Sequence, residues 1–271
     1  MGISGGDSLL QGRLAVQDYF KAGFTGEAVG GYHSTLYVAG LPGAGAAPSA
    51  GVNGAALNSA VPRSGQIPFP LAQANKAVYL NAADFAAESG VAAAILLDRL
   101  WENSGLSVTS TGSQAIAPAA LPARDANGAA LGVGVGIALE VVTQTGNGAP
   151  VNATLTYTDS DGNAGATSVV TIPATAEVGT WLPYPLAAGD YGVRGPGAFQ
   201  LAATLTSGAV ALVMYRRLAR ALKSVAPNVP DAFGPADGGG PCFDGTVPWF
   251  VYLLSATAVG RSAGSVQFVQ A

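Results

Sequence analysis

Over much of the chain after residue 130, apolar and β-branched residues recur at or near every second position, in short runs broken by glycine-rich turns. "VGVGIALEVVTQ" (133–144), "VNATLTYTD" (151–159) and "ATSVVTIPA" (166–174) are such runs. "DSDGNAG" (159–165) joins the last two, and its Asp-Gly and Gly-Asn pairs supply the positive φ angles of a hairpin turn. "WLPYPLA", "FQLAATLTSG" and "AVALVMYRRL" continue the pattern, and "GTVPWFVYLLSATAVGRSAGSVQFVQA" (245–271) resumes it after a Gly/Pro break at 234–241. Strands at roughly 8–12-residue spacing joined by turns predict a mainly β protein, an antiparallel sandwich or jelly-roll-like fold.

The first residues follow another period. Asp7 or Ser8 can cap a helix, Leu9, Leu10, Leu14 and Tyr19 or Phe20 fall at helical spacing, and Gly23 is a natural stop, so a short N-terminal helix is expected. After a strand-like "STLYVAG", residues 41–65 ("LPGAGAAPSAGVNGAALNSAVPRSG") have no periodicity and few large side chains. They cannot fold by themselves and read as a linker or an extended arm, one that an assembly would lay over a neighbour. "YRRLARALKSV" (215–225) is compatible with a helical turn after its strand. The organisation expected is an N-terminal helix and arm over 1–64, a β-sandwich region over 65–223, and a C-terminal linker with strands over 224–271.

Two stretches resemble each other. "IPFPLA" (67–72) and "LPYPLA" (182–187) each lead to a strand, a Ser-Gly turn (Ser89-Gly90, Ser207-Gly208) and a second strand ending in Arg-Leu (Arg99-Leu100, Arg217-Leu218). The offset is 115 residues at first and 118 later, which one three-residue insertion reconciles. An internal duplication of 65–101 and 180–219 is the reading. Proline cannot donate to a β-ladder, so these Pro-aromatic-Pro segments belong at sheet edges or strand starts. "VPWFVYLL" repeats the device more faintly.

Composition changes the picture of the surface. Charged residues are only 10% of the chain, while Gly (38) and Pro (17) are abundant. A surface so poor in charge is poorly protected in a free monomer and suits a protein covered by partners. The net charge of −4 argues against a nucleic-acid partner held through phosphates. The one basic cluster, Arg216, Arg217, Arg220 and Lys223, reads either as a partner contact or as a solvated, ion-paired flank. No basic segment followed by an apolar run opens the chain, and no apolar run approaches the ~20 residues of a membrane helix. A product made without secretion or membrane insertion is expected.

Candidates for chemistry are few. Cys242 is the single cysteine, which leaves no partner for a disulfide and no cysteine zinc site. His33 is the single histidine, and Ser34 beside it would face the other side of a strand, so the pair makes no dyad. Carboxylate pairs for glycosidase work would be Asp98 with Glu102, Asp84 with Glu88, Asp159 with Asp161, or two of Asp231, Asp237 and Asp244. Asp159, Asp161 and Asn163 take the first spacings of a calcium loop, but Ala164 and Val170 stand where its glycine and bidentate glutamate belong. "GVGVG" (132–136) lacks the rest of a dinucleotide fingerprint, and Asn152-Ala-Thr154 is a glycosylation sequon by spelling only. Trp101, Trp181 and Trp249 read as structural anchors, or as a sugar platform if they converge on one exposed face. No catalytic, metal or cofactor residue is assigned, and no enzyme is expected.

"DRLW…SG" (Asp98 to Trp101), "PARD.NG" (Pro122 to Asp125), the 139–148 strand, the 157–165 hairpin and "L.AGD.GVR" (Leu186 to Arg194) together resemble a family of tailed-bacteriophage virion proteins, as does the ending "GTVPWFVYLL". The resemblance covers most of 65–271 and consists of turns and strand edges. It implies a structural virion component: a head decoration or cement protein first, a tail or receptor- and glycan-contacting module second. The implied partners are the major capsid protein or other virion proteins, in a homo-oligomer with a trimer favoured, without nucleic acid or membrane.

Overall fold

The computed structural model describes residues 13–74, 76–224, 226–234 and 241–270, and it is almost entirely antiparallel β. The N-terminal part contains β1 (Arg13–Lys21), β2 (Phe24–Thr25), β3 (Tyr32–Ser34), a 3-10 turn at Thr35–Tyr37, β4 (Gly40–Leu41) and β5 (Ala55–Ala56). Long strands follow: β6 (Val78–Ala87), β7 (Val91–Glu102), then the short β8 (Gln114–Ala115), β9 (Val135–Gly146), β10 (Val151–Asp159) and β11 (Ala164–Ile172). Next come β12 (Thr180–Pro183), β13 (Val193–Leu201), β14 (Ser207–Arg217) and β15 (Leu222–Lys223). The chain finishes with β16 (Asp231–Phe233), β17 (Pro241–Cys242), β18 (Pro248–Leu254), β19 (Ala258–Val259) and β20 (Ser262–Gln270).

Six of these strands close on themselves in the order β7-β14-β9-β12-β3-β18 and back to β7, making a small barrel. One side of the barrel is covered by the sheet β11-β10-β13-β8, the other by β16-β6-β20-β1-β4 with β17 also on β6. This layering explains the two kinds of strand text. Barrel strands such as "PWFVYLL" and "VAAAILLDRLWE" are buried on both faces and read as continuous apolar runs. The flanking strand "VNATLTYTD" has a solvent side and alternates, with Val151, Ala153, Leu155 and Tyr157 turned inward.

Three apolar cores result. Ile137, Leu139, Leu212 and Met214, on the outer face of the barrel, pack against Leu155, Tyr157 and Phe199. Leu96, Phe250 and Tyr252 pack against Leu80, Phe85, Tyr19 and Phe268 on the other side. Inside the barrel lie Leu97, Val213, Val251, Trp181 and Trp249, with Leu36 of the 3-10 turn.

Two expectations of helix fail. Residues 13–21 form a strand laddered to β20 from Arg13↔Gln270 to Lys21↔Ser262. Its odd positions Tyr19 and Lys21 are buried and its even positions are exposed, a period of two. The leucines fit a helix only when Leu9 and Leu10 are counted with Leu14; those two and the caps Asp7 and Ser8 lie outside the described residues. The stretch after Tyr215 also stays extended. β14 runs through Arg217 and Leu222 returns to pair with Ala94 of β7.

The 41–65 segment is irregular, as its composition requires, but it lies along its own barrel rather than reaching away. Ala55 and Ala56 pair with Glu102 and Trp101, Leu57 donates its N–H to Leu100, and Arg63 forms an ion pair with Glu102 at 2.9 Å. Gly54, at φ +66, lets the segment lie against Trp101: a Cβ there would fall 2.3 Å from the indole ring.

The two similar stretches have one architecture. Each runs through a flanking strand (β6, β13), a glycine of positive φ (Gly90 at +77, Gly208 at +108) and a barrel strand (β7, β14). The two barrel strands are antiparallel neighbours, with Arg216 opposite Asp98. The two Pro-aromatic-Pro segments are neither sheet edges nor strand starts: 67–72 lies outside any strand ahead of the flanking β6, and Leu182 and Pro183 end β12, which is paired on both sides. Ile67 donates its N–H to Pro248 at the start of β18, Phe69 packs edge-on to Phe268 at 5.1 Å, and Tyr184 donates its N–H to Ile137.

Candidate functional site

Most of the buried charged residues belong to two structural networks. Arg99 projects into the barrel from β7 and forms a two-pronged pair with Glu140 of β9, donating from Nη1 at 3.1 Å and Nη2 at 2.5 Å. Its Nε donates to Glu102 at 2.7 Å, and Tyr37 donates its hydroxyl to Glu140 at 3.0 Å. Arg99 and Glu140 are both fully buried. Burial by itself would raise the Glu140 carboxyl, but the Arg99 charge and the bonds from Arg99 and Tyr37 hold it below the ordinary carboxylate range. Burial likewise works against the Arg99 charge, and Glu140 and Glu102 more than restore it.

A second network lies outside the barrel wall. Asp98 accepts from Arg124 (3.1 and 3.3 Å) and from the Val247 N–H (2.8 Å), with Arg216 at 3.8 Å. Arg124 also donates to Leu57 O and Arg99 O, tying the 122–125 turn and the 41–65 segment to β7. Asp98 and Glu102 therefore do not converge as a catalytic pair. They serve separate arginines.

Most of the remaining candidates are also engaged. Asp159 accepts from the N–H and side-chain amide of Asn163 (2.8 and 2.9 Å), so it closes its own hairpin, and no group of three or more metal-ligand side chains occurs among the described residues. Glu88 pairs with Arg261, and Asp84 accepts from Ser265. Asp231 pairs with Arg220 at 2.9 Å, while Asp237 lies outside the described residues. The Cys242 thiol is buried and pushed up to about 12 by desolvation, so it is not a reactive thiolate at neutral pH. The basic cluster is dispersed. Arg216 is buried over the Phe243 ring, Arg217 points to the opposite face of β14, and Arg220 and Lys223 hold Asp231 through a side chain and a main-chain N–H.

His33 sits on the outer face of β3, stacked on Phe24 at 4.2 Å, with Nδ1 unpartnered. Burial lowers its pKa to about 4, partly opposed by Glu140. The unfolded chain therefore takes up a proton below pH 6.5 that the folded chain refuses until about pH 4. Stability should fall by about 3 kcal/mol as the pH drops through that window. His33→Leu should flatten the pH dependence of the urea midpoint between pH 6.5 and 4; an unchanged slope would assign the acid lability to other groups.

The tryptophans do not form an exposed platform. Trp101 lies in the outer core, whereas Trp181 and Trp249 meet edge to face at 5.6 Å inside the barrel. Trp181 does, however, reach the open end of the barrel, where Tyr32, Tyr215 and Arg217 gather. Sequence reasoning missed this cluster because its members are 149, 34 and 2 positions apart and share no motif.

One surface stands out from the rest. β1 is paired along its full length with β20, but on its other edge only Phe20 and Lys21 have a strand partner among the described residues. Its outer side chains Leu14, Val16 and Phe20 are 52%, 49% and 40% exposed, and Leu41, opposite Phe20, is 56% exposed. Among the described residues this leaves an open edge beside exposed apolar groups, with the exposed Asp18 between Val16 and Phe20.

No family model and no curated protein sequence matches the chain. Among solved structures, the infectious bursal disease virus VP2 subviral particle aligns at 10% identity over 96% of this chain and 81% of that one, with a TM-score of 0.19. A structure of the Gt strain of the same virus aligns at 11% identity over the same shares, also at 0.19. Scores of this size carry no argument about fold or function.

Proposed function

We propose that the chain is a non-enzymatic structural subunit of a tailed-phage virion, a head decoration protein that reinforces the capsid lattice through protein contacts. The observation that carries this reading is the β1 surface: a strand edge open among the described residues and flanked by Leu14, Val16, Phe20 and Leu41, in a chain with 10% charged residues. Three of the phage-like motifs agree with it, because they lock turns of a rigid β body. Asp125 gathers the 122–134 loop, Asp159 closes its hairpin, and the Tyr157 hydroxyl donates to Asp190 at 2.6 Å in the 186–194 loop. A rigid body with apolar edges gains stability for a lattice by adding buried area, repeated by symmetry, without chemistry.

The test is incorporation. Val16→Lys with Phe20→Lys changes exposed positions and should leave folding within about 0.5 kcal/mol of the parent. The double variant should be depleted at least about tenfold from purified particles, the equivalent of about 1.4 kcal/mol of contact energy. Particles lacking the protein should lose resistance to heat and low salt. Undiminished incorporation, or particles equally robust without it, would overturn the assignment.

A further inference from the structure

The barrel is closed at one end and open at the other. The Arg99–Glu140–Glu102 network, with Arg63 and Tyr37, plugs the closed end. At the open end lies a cavity of about 260 Å3 walled by the half-buried Tyr32 and Tyr215, with the buried Trp181, Leu97 and Val251 beneath and the exposed Arg217 at the rim. Trp181 and Tyr215 meet edge to face at 5.3 Å. Gly136 across the strand makes room for this arrangement, since a Cβ there would fall 2.7 Å from the Tyr215 ring. The Tyr215 hydroxyl is pushed up to about 12 by burial and by the nearby Tyr32 hydroxyl.

Arg217 is unlike most arginines of this chain. Arg63, Arg99, Arg124, Arg216, Arg220 and Arg261 each have a carboxylate within 4 Å. Arg217 donates from Nε to Ala219 O at 2.7 Å and has no ion pair among the described residues. An uncompensated guanidinium therefore overhangs an aromatic cup.

We propose that this barrel mouth binds one carboxylate-bearing pyranose ring of an acidic polysaccharide. Its volume suits a single ring, being just under the ~300–1,000 Å3 of pockets for larger ligands. The half-buried rings of Tyr32 and Tyr215 offer apolar faces to the C–H side of a sugar, with the buried Trp181 behind them, and their phenol hydroxyls can exchange hydrogen bonds with its hydroxyls. Arg217 supplies the planar pair of donors that a carboxylate accepts. A neutral sugar or an apolar side chain would fill the cup and leave that charge unmatched. The net charge of −4 opposes a polyanion at long range, but beyond ~8 Å such repulsion is screened at physiological ionic strength. This inference is independent of whether the chain decorates a head.

The experiment is calorimetric titration of the intact protein with a glucuronic-acid tetrasaccharide, with neutral cellotetraose and a tetraglutamate peptide alongside. NMR of the Trp181 indole N–H locates the site. Saturable binding of the acidic tetrasaccharide with a shift of that resonance is expected. Arg217→Gln, at an exposed position, should weaken it at least about tenfold, as loss of a charge-assisted bond implies. Tyr215→Phe, which keeps the ring, should weaken it several-fold. Equal binding of cellotetraose or of the peptide, no saturable heat with the acidic sugar, or full binding by Arg217→Gln with an unchanged urea midpoint would each overturn the proposal.

Discussion

Replacing Arg99 by methionine is expected to cost about 3–5 kcal/mol of folding stability, the toll of stranding a buried charge. The variant leaves two carboxylates, Glu140 and Glu102, at one end of a barrel where Arg99 had bridged them at 2.5 and 2.7 Å. Glu102 keeps Arg63, but Glu140 retains only the Tyr37 hydroxyl among these groups. Glu140→Leu should cost less, because Arg99 then still has Glu102. The double change Arg99→Met with Glu140→Leu should recover part of the loss, since a packed apolar pair substitutes well for a buried ion pair. Urea unfolding of the four proteins closes the cycle, and urea rather than a guanidinium salt avoids screening the charges under test.

The pH dependence of the same variants gives a sign that packing alone cannot imitate. In the parent, Glu140 is held below its ordinary value of 4.5, so its contribution is complete above that pH and lost as the pH falls through its lowered folded value. Without Arg99 the burial effect outweighs the remaining Tyr37 hydrogen bond and the carboxyl is raised instead. Arg99→Met should then gain stability as the pH is lowered from 7 towards 5, relative to the parent. Parallel profiles would mean that the pair fills space and does not matter as charge.

These networks show what could be read from the residues and what could not. The hairpin at 159–165 and the strand at 151–159 depend on neighbours in sequence, and they are present in the fold, whereas the proline-flanked aromatics fall outside a strand at 67–72 and at the end of β12 at 182–183. The barrel is invisible locally. Its strands are joined by pairs such as Thr180↔His33 and Val251↔Ser34, 147 and 217 positions apart, and its inward residues are too mixed to show a period. β1 reads as a helix for the same reason: its partner β20 lies at the other end of the chain, and the half-buried Ala15 and Gln17 weaken the inward row that would have shown a strand.

The site followed the same division. The acidic residues were conspicuous in sequence, but a carboxylate is a catalyst or a structural acceptor according to what faces it. Asp98 faces Arg124 and the Val247 N–H. The barrel-mouth aromatics carried no sequence signal, because Tyr32, Trp181 and Tyr215 become neighbours only when β3, β12 and β14 enter one closed sheet. A turn held by one buried carboxylate is a further case, because its spacing is local but its partners are set by the fold.

Asp125 is the sharpest case, and its removal should rival the loss of Arg99. The carboxylate is buried and accepts five main-chain N–H groups: Asn127 (2.9 Å) and Ala129 (2.8 Å) on Oδ1, and Leu131 (3.1 Å), Gly132 (3.1 Å) and Val133 (3.3 Å) on Oδ2. The loop so gathered delivers the chain into β9 and is held to the 186–194 loop by Gly134 N–H to Tyr191 O and a Val133↔Gly192 bridge. Asp125→Asn keeps the shape but turns an amide NH2 towards amide donors, which cannot accept from one another. With bonds to a charged acceptor worth about 1.5–3 kcal/mol each and not additive, a loss of about 3–5 kcal/mol is expected. Asp125→Ala should be no worse, since water can enter where the carboxylate stood. Hydrogen exchange separates two ways of losing that stability. If the loop is an integral part of the barrel, the amides of Leu131, Gly132 and Val133 and those of β9 lose protection together. If only the loop amides exchange faster and the urea midpoint stays within about 1 kcal/mol of the parent, Asp125 orders its own turn and the barrel does not depend on it.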